Sequence, residues 1–158
     1  MDRADYLGKP VRVALARAAD AADWTAMRTA LWPSGGDGAH AVDIAQLLDD
    51  AGETINLIAR GDDGVALGFV EAALRRDYVN GCKTSPVAFL EGIFVKPEAR
   101  GQGVARAMVA AVEAWAREQG CSEFASDTAP ENFASQDMHR ALGFEETQRV
   151  VFFRKVLG

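Results

Sequence analysis

Leu90-Glu91-Gly92-Ile93-Phe94-Val95-Lys96-Pro97-Glu98-Ala99-Arg100-Gly101-Gln102-Gly103-Val104-Ala105 decides how this chain is read. It starts as an apolar strand carrying one carboxylate, Glu91, and the strand stops at Lys96-Pro97. A glycine-rich turn then leads into an amphipathic helix expected over 104–119. The first turn of such a helix leaves backbone N–H groups unspent and its dipole favours negative charge, so the turn is an anion cradle. A carboxylate just upstream places a base beside that cradle. The combination points to a transferase that uses a phosphate-bearing cofactor.

Working outward, Val104, Met108, Val112 and Trp115 form the apolar stripe of that helix, and Gly120 follows where a helix end favours glycine. Upstream lies the long central strand, 87–95, after a polar loop over 77–86. Before the loop, strands over 55–60 and 66–75 flank Gly61-Asp62-Asp63-Gly64, which has hairpin-turn chemistry. The N-terminal third reads as a strand over 11–16 and a helix capped by Asp20 or Asp23 that ends at Leu31. Trp24, Met27 and Leu31 share one face of it, and Trp32-Pro33 terminates it. A flexible glycine-rich loop over 34–38 and a helix over 41–50 come next, with Ala41, Ile44, Ala45 and Leu48 facing inward. Downstream are a strand over 124–128, a helix capped by Asn132 and stopped by Gly143, and a final Val- and Phe-rich strand over 148–156. The order β-α-α-β-β-β-α-β-α-β predicts an α/β (α+β) fold, a mixed central sheet with helices on both faces. With 158 residues, no repeat and no linker, the expectation is one domain over 1–158, with 1–10 as a loose tail.

Net charge is −6, which argues against binding a nucleic-acid backbone and suits a cationic substrate. No apolar run approaches the roughly 20 residues that span a membrane, and the polar N-terminus lacks a signal-peptide core, so a cytoplasmic location is expected. Cys82 and Cys121 with His40 and His139 supply no metal-ligand spacing; reduced thiols and no metal are expected.

Arg100-Gly101-Gln102-Gly103-Val104-Ala105 fits the [Arg/Gln]-x-x-Gly-x-[Gly/Ala] signature, and with the preceding strand, the Asn132 helix and Leu142-Gly143-Phe144 the chain resembles the GNAT acyl-CoA-dependent N-acetyltransferases. Arg76-Asp77-Tyr78-Val79-Asn80-Gly81, the stretch over 85–95, Ala125-Ser126-Asp127-Thr128 with Pro130-Glu131-Asn132, and Ala141-Leu142-Gly143-Phe144-Glu145-Glu146-Thr147 are similar to the aminoglycoside 6'-N-acetyltransferases. That resemblance spans roughly 24–157 and implies acetyl-CoA-dependent acetylation of an aminoglycoside 6'-amine, a resistance activity, by a homodimer.

The resemblance sets acetyl-CoA pyrophosphate on the amides of Gln102 to Ala105, with Gly101 and Gly103 allowing close approach and Arg100 and Arg106 adding positive charge. It places the pantetheine arm along Phe94 and Val95, with Asn132 and Ser135 at its far part. Asn132 can equally be a plain helix cap, and Arg100 a solvated charge.

The acceptor ammonium must lose a proton before it attacks a thioester, so a carboxylate base is needed. Glu91 is the candidate. Strand alternation puts it on one face with Phe89, Ile93 and Val95, where a lone charge needs either a cleft or a structural ion-pair partner. Asp127, at the end of its strand, is a second candidate for the base or for an ammonium contact, the alternative being a turn cap. Trp32 and Tyr78 fit substrate-contact positions of the resembled family, against plain roles as a core aromatic and a loop residue. A backbone N–H near Val95 would hold the oxyanion. Two departures stand out: His139 where many relatives carry Tyr, and Gln148 where a substrate-binding carboxylate is common. The competing readings are an acetyltransferase for a polyamine, another small amine or a protein N-terminus, and a non-catalytic acyl-CoA-binding module.

Overall fold

The computed structural model describes residues 10–50 and 52–158, Asp37 through its backbone, so the tail expected over 1–10 lies, save Pro10, outside the described residues. The order is β1 (Val11–Leu15), α1 (Ala21–Leu31), α2 (Gly36–Asp49), β2 (Thr54–Gly61), β3 (Ala66–Arg75), β4 (Val87–Val95), α3 (Val104–Glu118), β5 (Phe124–Ser126) and α4 (Phe133–Ala141). The strands form one mixed sheet in the order β1-β2-β3-β4-β5. Neighbours are antiparallel except β4 and β5, which are parallel and joined through α3.

Each face of the sheet buries one set of alternating residues. On one face Leu57, Val70, Ala72 and Leu90 meet Val104, Met108 and Val112 of α3. On the other, Ile58 and Phe69 meet Trp24 and Met27 of α1 and Ile44 of α2. Met108 and Val112 are fully buried, each contributing roughly 1.5–3 kcal/mol of apolar transfer.

Two elements differ from expectation. Helix α2 starts at Gly36, after a 3₁₀ turn over Pro33–Gly35, where a flexible loop was expected. Its two early glycines are poor helix formers, but burial of His40 and Ile44 against α1 overrides them. The inward residues are therefore His40, Ile44 and the half-buried Leu47, while Ala41, Ala45 and Leu48 are exposed. The final strand expected over 148–156 does not form: that segment carries no secondary structure. A ladder needs a partner, and β5 pairs with β4 over three residues before its far edge ends the sheet. The apolar residues of the segment stay in solvent, Phe152 at 89% and Phe153 at 94% exposure.

Candidate active site

The site begins with a register fault. Glu71 of β3 pairs with Gly92 of β4, and the next residue, Ala72, pairs with Leu90. Glu91 is thus the extra residue of a β-bulge, and a bulge re-aims a side chain. Leu90, Ile93 and Val95 pack on the α3 side, whereas Glu91 lines a cleft on the α1–α2 side. The single face expected for Phe89, Glu91, Ile93 and Val95 is corrected accordingly. Glu91 is 38% exposed and held by Arg75, whose Nη2 donates to Oε1 at 3.0 Å and to Oε2 at 3.1 Å. Arg75 also lies over the Phe89 ring, 3.5 Å from its centroid.

The cleft measures about 980 Å³. Its wall carries the carboxylates of Asp43, Asp49, Asp50, Glu71 and Glu91, opposed by the guanidinium of Arg28, with Trp32, His40 and Asn56 beside them. Such a wall concentrates cations. Trp32 ends α1, and its ring packs edge-on against Phe69 at 6.0 Å and under Arg28 at 5.0 Å. The His40 ring accepts from Arg28 Nε at Nδ1 (3.2 Å), so Nε2 carries the hydrogen and donates to the Trp32 carbonyl (2.9 Å). A methyl group on Gly92 would overlap the Trp32 indole. Gly92→Ala is therefore expected to cost about 1–3 kcal/mol in urea unfolding and to raise the acceptor KM as the indole is displaced.

Arg28, Glu71 and Asp43 form a network the sequence reading did not include. Arg28 Nη1 donates to Glu71 Oε1 and Nη2 to Asp43 Oδ2 at 2.9 Å. Burial pushes the Glu71 carboxyl up to about 7, against the downward pull of Arg28. A signal was available: Arg28 interrupts the apolar face of α1, and Glu71 interrupts the apolar run Leu67–Ala73.

The second half of the site is the start of α3. Gly101 and Gly103 have φ of 75° and 83°, the left-handed region that favours glycine. Gly103 is the N-cap; no side chain caps the helix there and its first turn has no acidic residue. Nothing lies within 4 Å of where a Gly103 side chain would start. Val104 is buried and anchors the turn, with Gln102 and Ala105 half-buried. Beside it, β5 pairs with β4 over 88–90 alone, so the 92–95 edge is open to an extended ligand. An open amide cradle and an open strand edge fit the pyrophosphate and pantetheine of coenzyme A. Arg100 braces this edge, its Nε donating to the Val95 carbonyl (2.8 Å) with the guanidinium 5.7 Å from the Phe94 centroid. Arg106 donates to the Ala141 carbonyl (2.9 Å) and ties α3 to α4.

The other expected residues lie elsewhere. Asn132 caps α4, its Oδ1 accepting from Ser135 N at 3.1 Å. Asp127 is exposed, one residue beyond β5, which ends at Ser126 and not at Thr128. Tyr78 is 80% exposed in the loop after β3, and Gln148 is exposed in the C-terminal segment. These two segments meet where Gly81 touches Thr147. Trp32 and Glu91 share the cleft wall; Asp127, Tyr78 and Gln148 are not part of it. His139 donates from Nδ1 to the Ser135 carbonyl (2.7 Å) and accepts from Ser126 Oγ at Nε2 (2.7 Å).

Residues 21–144 match the model of the Acetyltransferase (GNAT) family. The chain belongs to the GNAT acetyltransferases. Within that family it is 55% identical over 135 residues to an aminoglycoside N(6')-acetyltransferase type 1 of Serratia marcescens, covering 85% of this chain and 92% of the relative. The same-named protein of Acinetobacter baumannii is 50% identical over 136 residues, covering 86% and 92%. Among solved structures, AAC(6')-Iy with the bisubstrate analogue CoA-S-monomethyl-acetylneamine superposes with a TM-score of 0.87 at 48% identity, covering 94% of this chain and 99% of that one. The family membership accounts for the mixed sheet with its parallel β4–α3–β5 unit.

Proposed function

We propose that this chain transfers the acetyl group of acetyl-CoA to the 6'-amine of aminoglycoside antibiotics, a resistance activity. The observation that carries the reading is the β4 bulge, which lifts Glu91 into an acidic cleft on the same strand whose 92–95 edge leads toward the amide cradle. The acidic cleft and the names of the relatives both support a polycationic acceptor.

When bound, acetyl-CoA supplies a thioester open to attack by an amine. The acidic wall draws in the ammonium groups, and Trp32 offers its ring to a sugar or cation. Glu91, aligned by Arg75, takes the proton that frees the attacking lone pair and passes it to solvent through its exposed side. Backbone N–H groups near Val95 that point away from β3 hold the oxyanion. Gln102 to Ala105 seat the phosphates, and Phe94 and Val95 line the arm. Ser135 sits at its far part, and Asn132 contributes there chiefly by capping α4. Asp127, Tyr78 and Gln148, all exposed and outside the cleft wall, would meet the parts of the substrate that project from it. NMR of the product tests the assignment: the acetyl group is expected on the 6' nitrogen, and acetylation at another amine would reject it.

The active species we assign is a homodimer. Its support is the C-terminal segment, where Val151, Phe152, Phe153, Val156 and Leu157 are all exposed. Adjacent apolar residues put hydrophobic surface on both sides of an extended chain, a pattern that calls for cover on both faces. Replacing Phe152 and Phe153 by Glu should give a monomer in sedimentation equilibrium; an unchanged dimer would place the interface elsewhere. Among the described residues no helix is long and apolar enough to cross a membrane. We assign the enzyme to the cytoplasm, where the unpaired thiols of Cys82 and Cys121 would stay reduced.

A further inference from the structure

The floor of the acidic cleft holds two acceptors with no donor. Glu71 is 4% exposed; its Oε1 takes the Arg28 bond, but Oε2 has no hydrogen-bond partner and is sealed from solvent. Asn56 Oδ1 is sealed and unpartnered in the same way, while its Nδ2 donates to Thr54 Oγ1 at 3.3 Å. The two residues are direct partners in the β2–β3 register. Directly opposed residues share a face of the sheet, with Cβ atoms about 4.5–5.5 Å apart. Two sealed acceptors on one face call for a hydrogen between them.

We propose that Glu71 is a positioning residue of the acceptor site, donating a hydrogen bond from Oε2 to Asn56 and acting through Arg28 on Trp32. The inference rests on the acceptor-site reading given above. The groups around Glu71 support it. From α1 it meets Arg28, from α2 His40 and Asp43 through Arg28, from β2 Asn56, and from β4 Glu91 with its partner Arg75. Burial, with the negative charges of Asp43 and Glu91, favours the un-ionised carboxyl, and Arg28 opposes them. With the group poised at about 7, roughly ten molecules carry the hydrogen for each one that lacks it at pH 6. Above that point the link to Asn56 is lost. Arg28 then keeps an anion that no longer joins β2 to the network, and the seat of Trp32 loosens. Gln is an isosteric copy of the un-ionised acid, since its amide can donate to Asn56 and its carbonyl can accept from Arg28.

The first test needs no turnover, so it separates this inference from the activity assignment. The infrared spectrum of the full-length wild type at pH 6 should contain an un-ionised carboxyl band that disappears in Glu71→Gln. No such band would mean that Asn56 donates instead, and the proposal fails. In steady-state assays with an aminoglycoside acceptor, Glu71→Leu should raise KM about tenfold at pH 6, and Glu71→Gln should recover most of that loss. At pH 8 the wild-type KM should exceed that of Glu71→Gln threefold or more. A ratio that is the same at pH 6 and 8, or a Gln variant no better than Leu, would overturn the proposal.

Discussion

Replacing Glu91 with Gln is expected to lower kcat about 10²- to 10⁴-fold, the range for losing a positioned base. Coenzyme A affinity should be unchanged, because the cradle over Gln102–Ala105 lies on a different element from the bulge. Stability should change by no more than about 1 kcal/mol, since the Glu91–Arg75 pair is half in solvent. Gln keeps the shape of Glu91 and one acceptor for Arg75 but cannot take a proton from an ammonium. Stopped-flow thiol release gives the rate, and calorimetric titration with coenzyme A gives the affinity. A variant with wild-type kcat would remove Glu91 from the chemistry. Slow turnover with weakened cofactor binding would point to a distorted β4.

The residue at the centre of that prediction was legible, but its orientation was not. A lone carboxylate in the run Leu90–Val95 marks itself, and the outer limits of β3 and β4 and the start of α3 follow from apolar runs bounded by Gly, Pro and charge. Strict alternation nevertheless grouped Glu91 with Ile93 and Val95, which the bulge leaves on the other face. A bulge depends on which residues of two strands pair, and one strand's sequence does not contain that pairing. The start of α2 was hidden because Gly36 and Gly38 speak for a loop locally, while His40 and Ile44 gain their burial from α1, a tertiary effect. The 148–156 segment has strand-forming residues, yet strand propensity reports fitness for a pleated surface and not the presence of a neighbour. The Arg28–Glu71 pair is 43 residues apart in sequence, and each partner alone looks like an isolated charge on an apolar face.

The second large effect concerns that pair. At pH 8, where Glu71 is the anion of the pair, Arg28→Leu should destabilise the fold by up to about 3–5 kcal/mol, the range for stripping one partner from a buried ion pair, and by less at pH 6, where Glu71 carries a proton. The guanidinium reaches Glu71, Asp43 and His40 at once, and its side chain is 9% exposed. Asp43 can turn to water, since its side chain is 53% exposed, but Glu71 at 5% cannot. His40 loses the donor that sets its tautomer and with it the fixed contact to the Trp32 carbonyl. The double replacement Arg28→Leu with Glu71→Leu should recover much of the loss, because an apolar pair of similar volume leaves no charge stranded. Urea unfolding of wild type, both single variants and the double variant closes the cycle. Additive losses would mean that the two side chains do not stabilise one another.

The most direct measurement is thiol release from acetyl-CoA with two matched aminoglycosides, one bearing a 6'-amine and the other a 6'-hydroxyl. Release that depends on the enzyme and on the 6'-amine, and that Glu91→Gln abolishes, is the predicted result. Equal release with both compounds, or none with either while spermidine turns over, would contradict it.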